Sequence, residues 1–277
     1  MLFDSHTHLN NEGYTEEEVA MLAKEIEASK VSYVMDVGFD LASSMKAVRH
    51  SEEYSFCYAA VGCHPHDAKG MDQDQLIMFK GLAKKSKVKA IGEIGLDYYR
   101  NISPKEDQQF WFREQIRLAN ELKMPIVIHD RDANQDVMEI LKEEGAFSLE
   151  RCSWFPERKG PGGEMVKDAR VLLHCYSGSR ELAEQYVKLG ATISIAGPIT
   201  YKNNRKGIEV AVAIPIEFLL IETDAPYLTP EPFRGRPNKS PYVEHTGAKL
   251  AEIKEISFEE VARITCENAK VFFGIDA

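Results

Sequence analysis

Two histidines, His6 and His8, end the apolar opening run of the chain with one threonine between them. In an extended strand, residues two apart share a face, so both imidazoles would point the same way and could hold one divalent ion. An HxH pair alone is modest evidence, because histidines are common on surfaces and in satisfied cores. Other residues of the same chemical type follow the same rule of place: Glu93 closes AIGEIG, His129 closes PIVIH, His174 closes VLLH and Asp224 follows FLLIET. Buried imidazoles and carboxylates are costly unless paired or coordinated, so such residues at the ends of several apolar runs point to a metal centre. Four histidines and two carboxylates make a complete set for two divalent cations, with Glu93 best placed to bridge them.

Residues so far apart in sequence need a fold that gathers strand ends. Short apolar runs (LFDSH, VSYVMDVG, SFCYAAVG, VKAIGEIG, PIVIH, ARVLLHC, ATISI, EFLLIETD) alternate with helix-like stretches, which predicts βα units and a parallel sheet. Eight such runs predict an α/β fold of the (β/α)8 TIM-barrel type, with the metal site at the C-terminal ends of the strands. A doubly wound open sheet is the competing architecture, but no GxGxxG follows the first strand. Thr15 with Glu18, Ser103 with Pro104 and Glu106, and Ser257 with Glu260 read as capping boxes at helix starts. The length and apolar content suit one domain spanning residues 1–277. The Gly-, Pro- and charge-rich segment 145–168 reads as a surface insertion on the face opposite the βα loops.

The formal charge of -10 argues against a protein that coats nucleic acid through a broad basic surface. It does not exclude an enzyme that grips one phosphate, because bound cations invert the local field of a pocket. Five scattered cysteines without a CxxC pair read as reduced thiols. With no apolar run of about 18 residues and no signal-peptide pattern, the expectation is a soluble cytoplasmic chain, monomeric by default and with no membrane partner.

Taken in order, FDSHTHL, VGCHPHDA, IGEIGLDYY, PIVIHDRDA, LLHCYSGS, ETDAPYLTP and PFRGRPNKSPY resemble the successive signature motifs of the TatD family of deoxyribonucleases, from Met1 to about Gly274. Segment 145–168 is longer than most relatives carry there. The resemblance implies that His6, His8, Glu93 and Asp224 bind a first ion, and that Glu93, His129 and His174 bind a second. It implies Mg2+ or Mn2+ as working ions and a 3′-5′ exodeoxyribonuclease acting on single strands; a His-rich donor set by itself also admits Zn2+. Where many related amidohydrolases carry a carboxylated lysine at the end of the fourth strand, this chain has none, which separates it from the dihydroorotase-like and urease-like branches.

In such a site paired ions would activate a water for in-line attack on phosphorus, and Asp224 is the natural general base. His64, in GCHPHD, would donate to the substrate phosphate or leaving oxygen, whereas His66 reads as structural. Tyr98 or Tyr99 could stack on an unpaired base, and Asp97 could orient a ligand histidine. Lys202, Arg205 and Lys206 in one loop, Arg234, Arg236 and Lys239 in another, and Arg131 beside His129 suggest a short nucleic-acid track. The rival enzymatic reading is hydrolysis of an ester, such as that of a D-aminoacyl-tRNA. A metal-binding scaffold without catalysis is the reading from a different class.

Overall fold

The computed structural model describes residues 1–275. One sheet holds eight parallel strands in chain order: β1 (Leu2–Thr7), β2 (Val31–Val37), β3 (Cys57–Val61), β4 (Val88–Asp97), β5 (Ile126–Arg131), β6 (Val171–Leu173), β7 (Thr192–Ile195) and β8 (Leu219–Ile221). Helices α1 (Glu16–Glu27), α2 (Leu41–Glu53), α3 (Gln73–Leu82), α4 (Lys105–Leu122), α5 (Asn134–Glu143), α6 (Leu149–Ser153), α7 (Arg180–Lys188) and α8 (Arg205–Ala213) lie between strands, and α9 (Val243–Lys254) and α10 (Phe258–Phe273) follow β8. The seam between β8 and β1 closes just past the strand ends. There Asp224 N–H donates to the His6 carbonyl at 2.9 Å and His8 N–H to the Ala225 carbonyl at 2.8 Å. The sheet is thus rolled into the (β/α)8 barrel that the alternation predicts, and the seam bonds lock three candidate ligands to one another.

Inside the barrel, Phe3, Met35, Ala60, Ala90, Val127, Leu172 and Leu220 form one buried layer, sealed from below by Phe272 and Phe273 of α10. Each such phenylalanine contributes roughly 1.5–3 kcal/mol by leaving water. A second apolar shell, including Val34, Ile91, Ile128, Leu173 and Ile193, faces the helices. The two shells fix which residues point inward. His129, His174 and Asp224 lie an even number of residues after Val127, Leu172 and Leu220, and plain alternation turns them to the interior. His6 and Glu93 lie an odd number after Phe3 and Ala90. The pairing register shifts between Asp4 and Thr7 and between Ile91 and Ile94, and these irregularities re-aim both side chains to the mouth.

Of the three capping boxes read from the sequence, one forms in full, one by half and one not at all. Thr15 and Glu18 form the reciprocal capping box of α1, and Ser257 caps α10 by accepting from Glu260 N–H. Ser103 does not cap α4; Pro104 occupies that position, and the Ser103 hydroxyl donates to the His66 carbonyl at 2.7 Å. A serine read as a cap instead ties the loop after β3 to α4.

Segment 145–168 contains α6 and a short antiparallel pair, Arg158–Lys159 with Met165–Val166. Arg151 is fully buried, and its guanidinium donates to the carbonyls of Ala169 and Met124 and to Asn120 Oδ1. Arg158 likewise donates to Thr192 Oγ1 and to the Ala191 carbonyl. These partners precede or begin strands, so the segment is anchored at the amino-terminal end of the barrel. Among the described residues, no helix is long and apolar enough to cross a membrane.

Candidate active site

Glu93 stands at the centre of the carboxyl-end mouth, 3 % exposed. Its two oxygens face different donor groups. Oε2 lies 3.4 Å from His6 Nε2 and 3.9 Å from His8 Nε2, while Oε1 lies 2.7 Å from both His129 Nδ1 and His174 Nε2. Asp224 Oδ1 completes the first group, 3.4 Å from His8 Nε2 and 3.9 Å from His6 Nε2. Burial would raise the Glu93 carboxyl, but His174, His64 and His129 around it hold it well below the usual carboxylate range. The same contest, won by His8 and His6, keeps Asp224 ionised.

Gly95 lets β4 and β5 come this close. It has φ +148°, and a Cβ there would lie 1.9 Å from the His129 carbonyl oxygen.

The ring tautomers test whether the residues fit a cation. His8 Nδ1 lies 2.7 Å from the Val37 carbonyl, which only accepts, so Nδ1 carries the proton and the neutral ring presents the Nε2 lone pair to the mouth. His6 Nε2 is 3.3 Å from that lone pair, and its own Nδ1 is buried without a partner. His6, His8 and Glu93 offer donor atoms within 4.8 Å of one another, and Asp224 Oδ1 lies 3.4 Å from His8 Nε2. The donor set therefore fits a divalent ion. Around Oε1, His129 Nδ1 and His174 Nε2 each lie 2.7 Å away, and His64, Glu93 and His129 offer donor atoms within 4.8 Å of one another.

His64 lies next to the second group, with Nε2 3.5 Å from Glu93 Oε1. Its Nδ1 accepts the His66 backbone N–H at 3.1 Å, which places the proton of the neutral ring on Nε2. Burial and the neighbouring His129 lower its pKa well below the ordinary histidine value, keeping it neutral. In this tautomer the ring presents Nε2–H to the mouth, and His64 also stands with Glu93 and His129 in a group of donor atoms within 4.8 Å of one another. Asp97 Oδ2 lies 2.8 Å from His66 Nε2 and 3.2 Å from His129 Nε2, so it fixes the ring whose Nδ1 faces Glu93.

One site residue escaped the sequence reading. Glu222 is fully buried, accepts the Cys175 backbone N–H at 2.7 Å and lies 3.3 Å from His174 Nδ1, leaving Nε2 free to face Glu93. Alternation could have found it, since it lies two residues before Asp224 on the same inward face. Together Glu93 and Glu222 overcome burial and raise the His174 pKa well above its ordinary value. Glu222→Gln is expected to weaken divalent-ion binding by about 10–100-fold, the usual effect of losing a carboxylate behind a ligating imidazole, measured by calorimetric titration of Mn2+.

The outer residues divide. Tyr98 turns away from the mouth: its hydroxyl donates to Asp136 Oδ2 at 2.6 Å and Lys105 Nζ covers its ring at 4.0 Å. Tyr99 is the exposed aromatic, 63 % accessible, with the Arg131 guanidinium 4.1 Å over its ring. The loops after β7 and β8 are bonded together: Tyr201 hydroxyl donates to the Thr229 carbonyl and the Arg234 guanidinium stacks 4.3 Å over Tyr201. Lys202, Arg205, Arg234 and Arg236 are all exposed on this joined pair. Lys239 is drawn aside by Glu25.

A closed parallel barrel with imidazoles and carboxylates gathered over the strands' carboxyl ends is the architecture of the metal-dependent hydrolases. Within that class the chain belongs to the TatD-related DNase family, whose model matches residues 3–274. It is 46% identical over 278 residues, the full length of both chains, to a Bacillus subtilis protein named "Uncharacterized metal-dependent hydrolase YabD". A Klebsiella pneumoniae relative named "3'-5' ssDNA/RNA exonuclease TatD" is 33% identical, with 99% of this chain and 98% of that protein covered. The crystal structure of the TatD homologue YJJV from Escherichia coli superposes with a TM-score of 0.85 at 27% identity, covering 99% of this chain and 98% of that one.

Proposed function

We propose that the chain hydrolyses phosphodiester bonds, releasing nucleotides from the 3′ end of single-stranded DNA with two divalent ions, as a cytoplasmic monomer in which residues 1–277 form one domain. The division of Glu93's oxygens between two histidine pairs, His6 with His8 and His129 with His174, supports this reading. His6, His8, Glu93 and Asp224 hold one ion; Glu93, His129 and His174 hold the other. When bound, Mg2+ or Mn2+, with Zn2+ also compatible, would supply Lewis acidity and an activated water.

Two carboxylates against two divalent ions leave a charge of about +2, which draws a phosphate into the mouth of an otherwise acidic protein. The carboxylate of Asp224, with its side chain 15 % accessible, is placed to take the proton of the attacking water. His64 donates from Nε2 to a non-bridging phosphate oxygen. Tyr99 with Arg131 provides a stacking platform for a terminal base, and Lys202, Arg205, Arg234 and Arg236 hold the backbone. Tyr98 supports this platform from behind rather than touching substrate. The Klebsiella pneumoniae relative's name supports the 3′-5′ direction and leaves RNA open as a substrate.

Ester hydrolysis, such as removal of a D-amino acid from tRNA, is the competing activity, since the same ions would polarise a carbonyl. Both are tested by incubating end-labelled single-stranded DNA, and separately D-aminoacyl-tRNA, with Mg2+, Mn2+ or chelator. Metal-dependent shortening of 5′-labelled DNA one nucleotide at a time is expected. Turnover of the aminoacyl ester with intact DNA would overturn the nuclease reading.

A further inference from the structure

A cavity of about 850 Å³ opens at the amino-terminal end of the barrel, the end opposite the histidines, between α10 and the residues that precede β1, β2 and β6. Its walls include Lys30, Arg170, Phe258, Ala262, Lys270 and Val271. The volume is within the range of small-molecule sites.

Four cationic side chains line it, Lys30, Arg170, Arg263 and Lys270, against two carboxylates, Glu259 and Glu267. Arg151, Arg158 and Arg170 are all at least nine-tenths buried here, and the carboxylate whose field acts on all three is Asp168. Arg151 is satisfied by neutral acceptors, and Arg158 gives its terminal nitrogens to Thr192 Oγ1 and the Ala191 carbonyl while its Nε stays unpartnered. Arg170, 7 % exposed, has no hydrogen-bonded or ion-paired acceptor for its guanidinium among the described residues; its Nε is buried and unpartnered, and the guanidinium stacks 4.7 Å over the Phe155 ring. Lys270 also lacks a carboxylate partner among the described residues and rests 5.0 Å over Tyr33. Lys30 and Arg263, by contrast, are already paired with Glu244 and Glu267. A buried guanidinium without an anion is costly, and a cavity lined by it and by an unpaired lysine invites one. A guanidinium matches phosphate oxygens in a two-pronged fit.

We propose that this cavity is a second ligand site, taking a small organic phosphate whose anionic head is held by Arg170 and Lys270 and whose apolar body lies against Phe258, Ala262 and Val271. The site is independent of the metal centre.

The test is calorimetric titration of the metal-loaded protein with phenyl phosphate, inorganic phosphate and phenol. Phenyl phosphate is expected to bind at least about tenfold more tightly than either fragment, because head and body act together. Arg170→Met and Lys270→Met should each weaken that binding at least about tenfold while leaving nuclease activity unchanged. Glu93→Gln should leave this binding in place. Lys270 is on the surface of α10, so its variant remains informative if Arg170→Met misfolds. Failure of phenyl phosphate to bind, equal affinity for phosphate alone, or binding lost in Glu93→Gln and retained in both cation variants would overturn the proposal.

Discussion

Glu93→Gln is expected to lower phosphodiesterase turnover by about 10³-fold or more, because it removes the group on which both proposed ion sites depend. The amide keeps the carboxyl's size but loses its charge, and its nitrogen side can no longer act as a ligand. Oε1 now faces His129 and His174 at 2.7 Å, and Oε2 faces His6 at 3.4 Å. Whichever way the amide turns, one donor group loses an anionic oxygen. Bound metal should therefore fall below two ions per chain, while the apolar interior, led by Phe3, Met35 and Phe273, keeps the barrel folded. Turnover and metal content measured on one preparation check this, with circular dichroism as the control for folding. A variant with two tight ions and normal turnover would show that Glu93 does not bridge.

Asp224→Asn should separate ligand from base. The amide oxygen can still occupy the first donor group, but it cannot accept a proton from the attacking water. Turnover is expected to fall by about 10²–10⁴-fold, the range for loss of a general base, with KM for oligonucleotide much less affected. Asp224 is rigidly held: its N–H donates to the His6 carbonyl and it has φ +57°. The substitution therefore changes chemistry more than position. Steady-state kinetics on a labelled oligonucleotide under saturating metal measures the split between kcat and KM. Unchanged kcat with two ions bound would make Asp224 a ligand alone.

The barrel is legible in the sequence because its strands are short apolar runs separated by capped helices. His129, His174 and Asp224 were legible as a converging set because each continues the inward alternation of its strand. His6 and Glu93 were legible by type and place but not by direction; register irregularities, which leave no composition signal, turn them inward. Glu222 shares the inward face of FLLIETD with Asp224, and its type alone does not separate a ligand from the carboxylate that orients a ligand histidine. Tyr98 and Tyr99 are equivalent in sequence, and contacts from other elements, Asp136 of α5 and Gln109 and Lys105 of α4, hold Tyr98 and leave Tyr99 exposed. Segment 145–168 looks like solvated loop because it is rich in charge, yet Arg151 and Arg158 are buried there by backbone carbonyls, which a sequence does not display.

Titration of Mn2+ into metal-free protein, with phosphodiesterase activity assayed at each ratio, tests the central claim most directly. The expected result is two bound equivalents, with activity rising mainly as the second site fills. Full activity at one equivalent, or activity indifferent to metal, would contradict a centre built by Glu93 between two histidine groups.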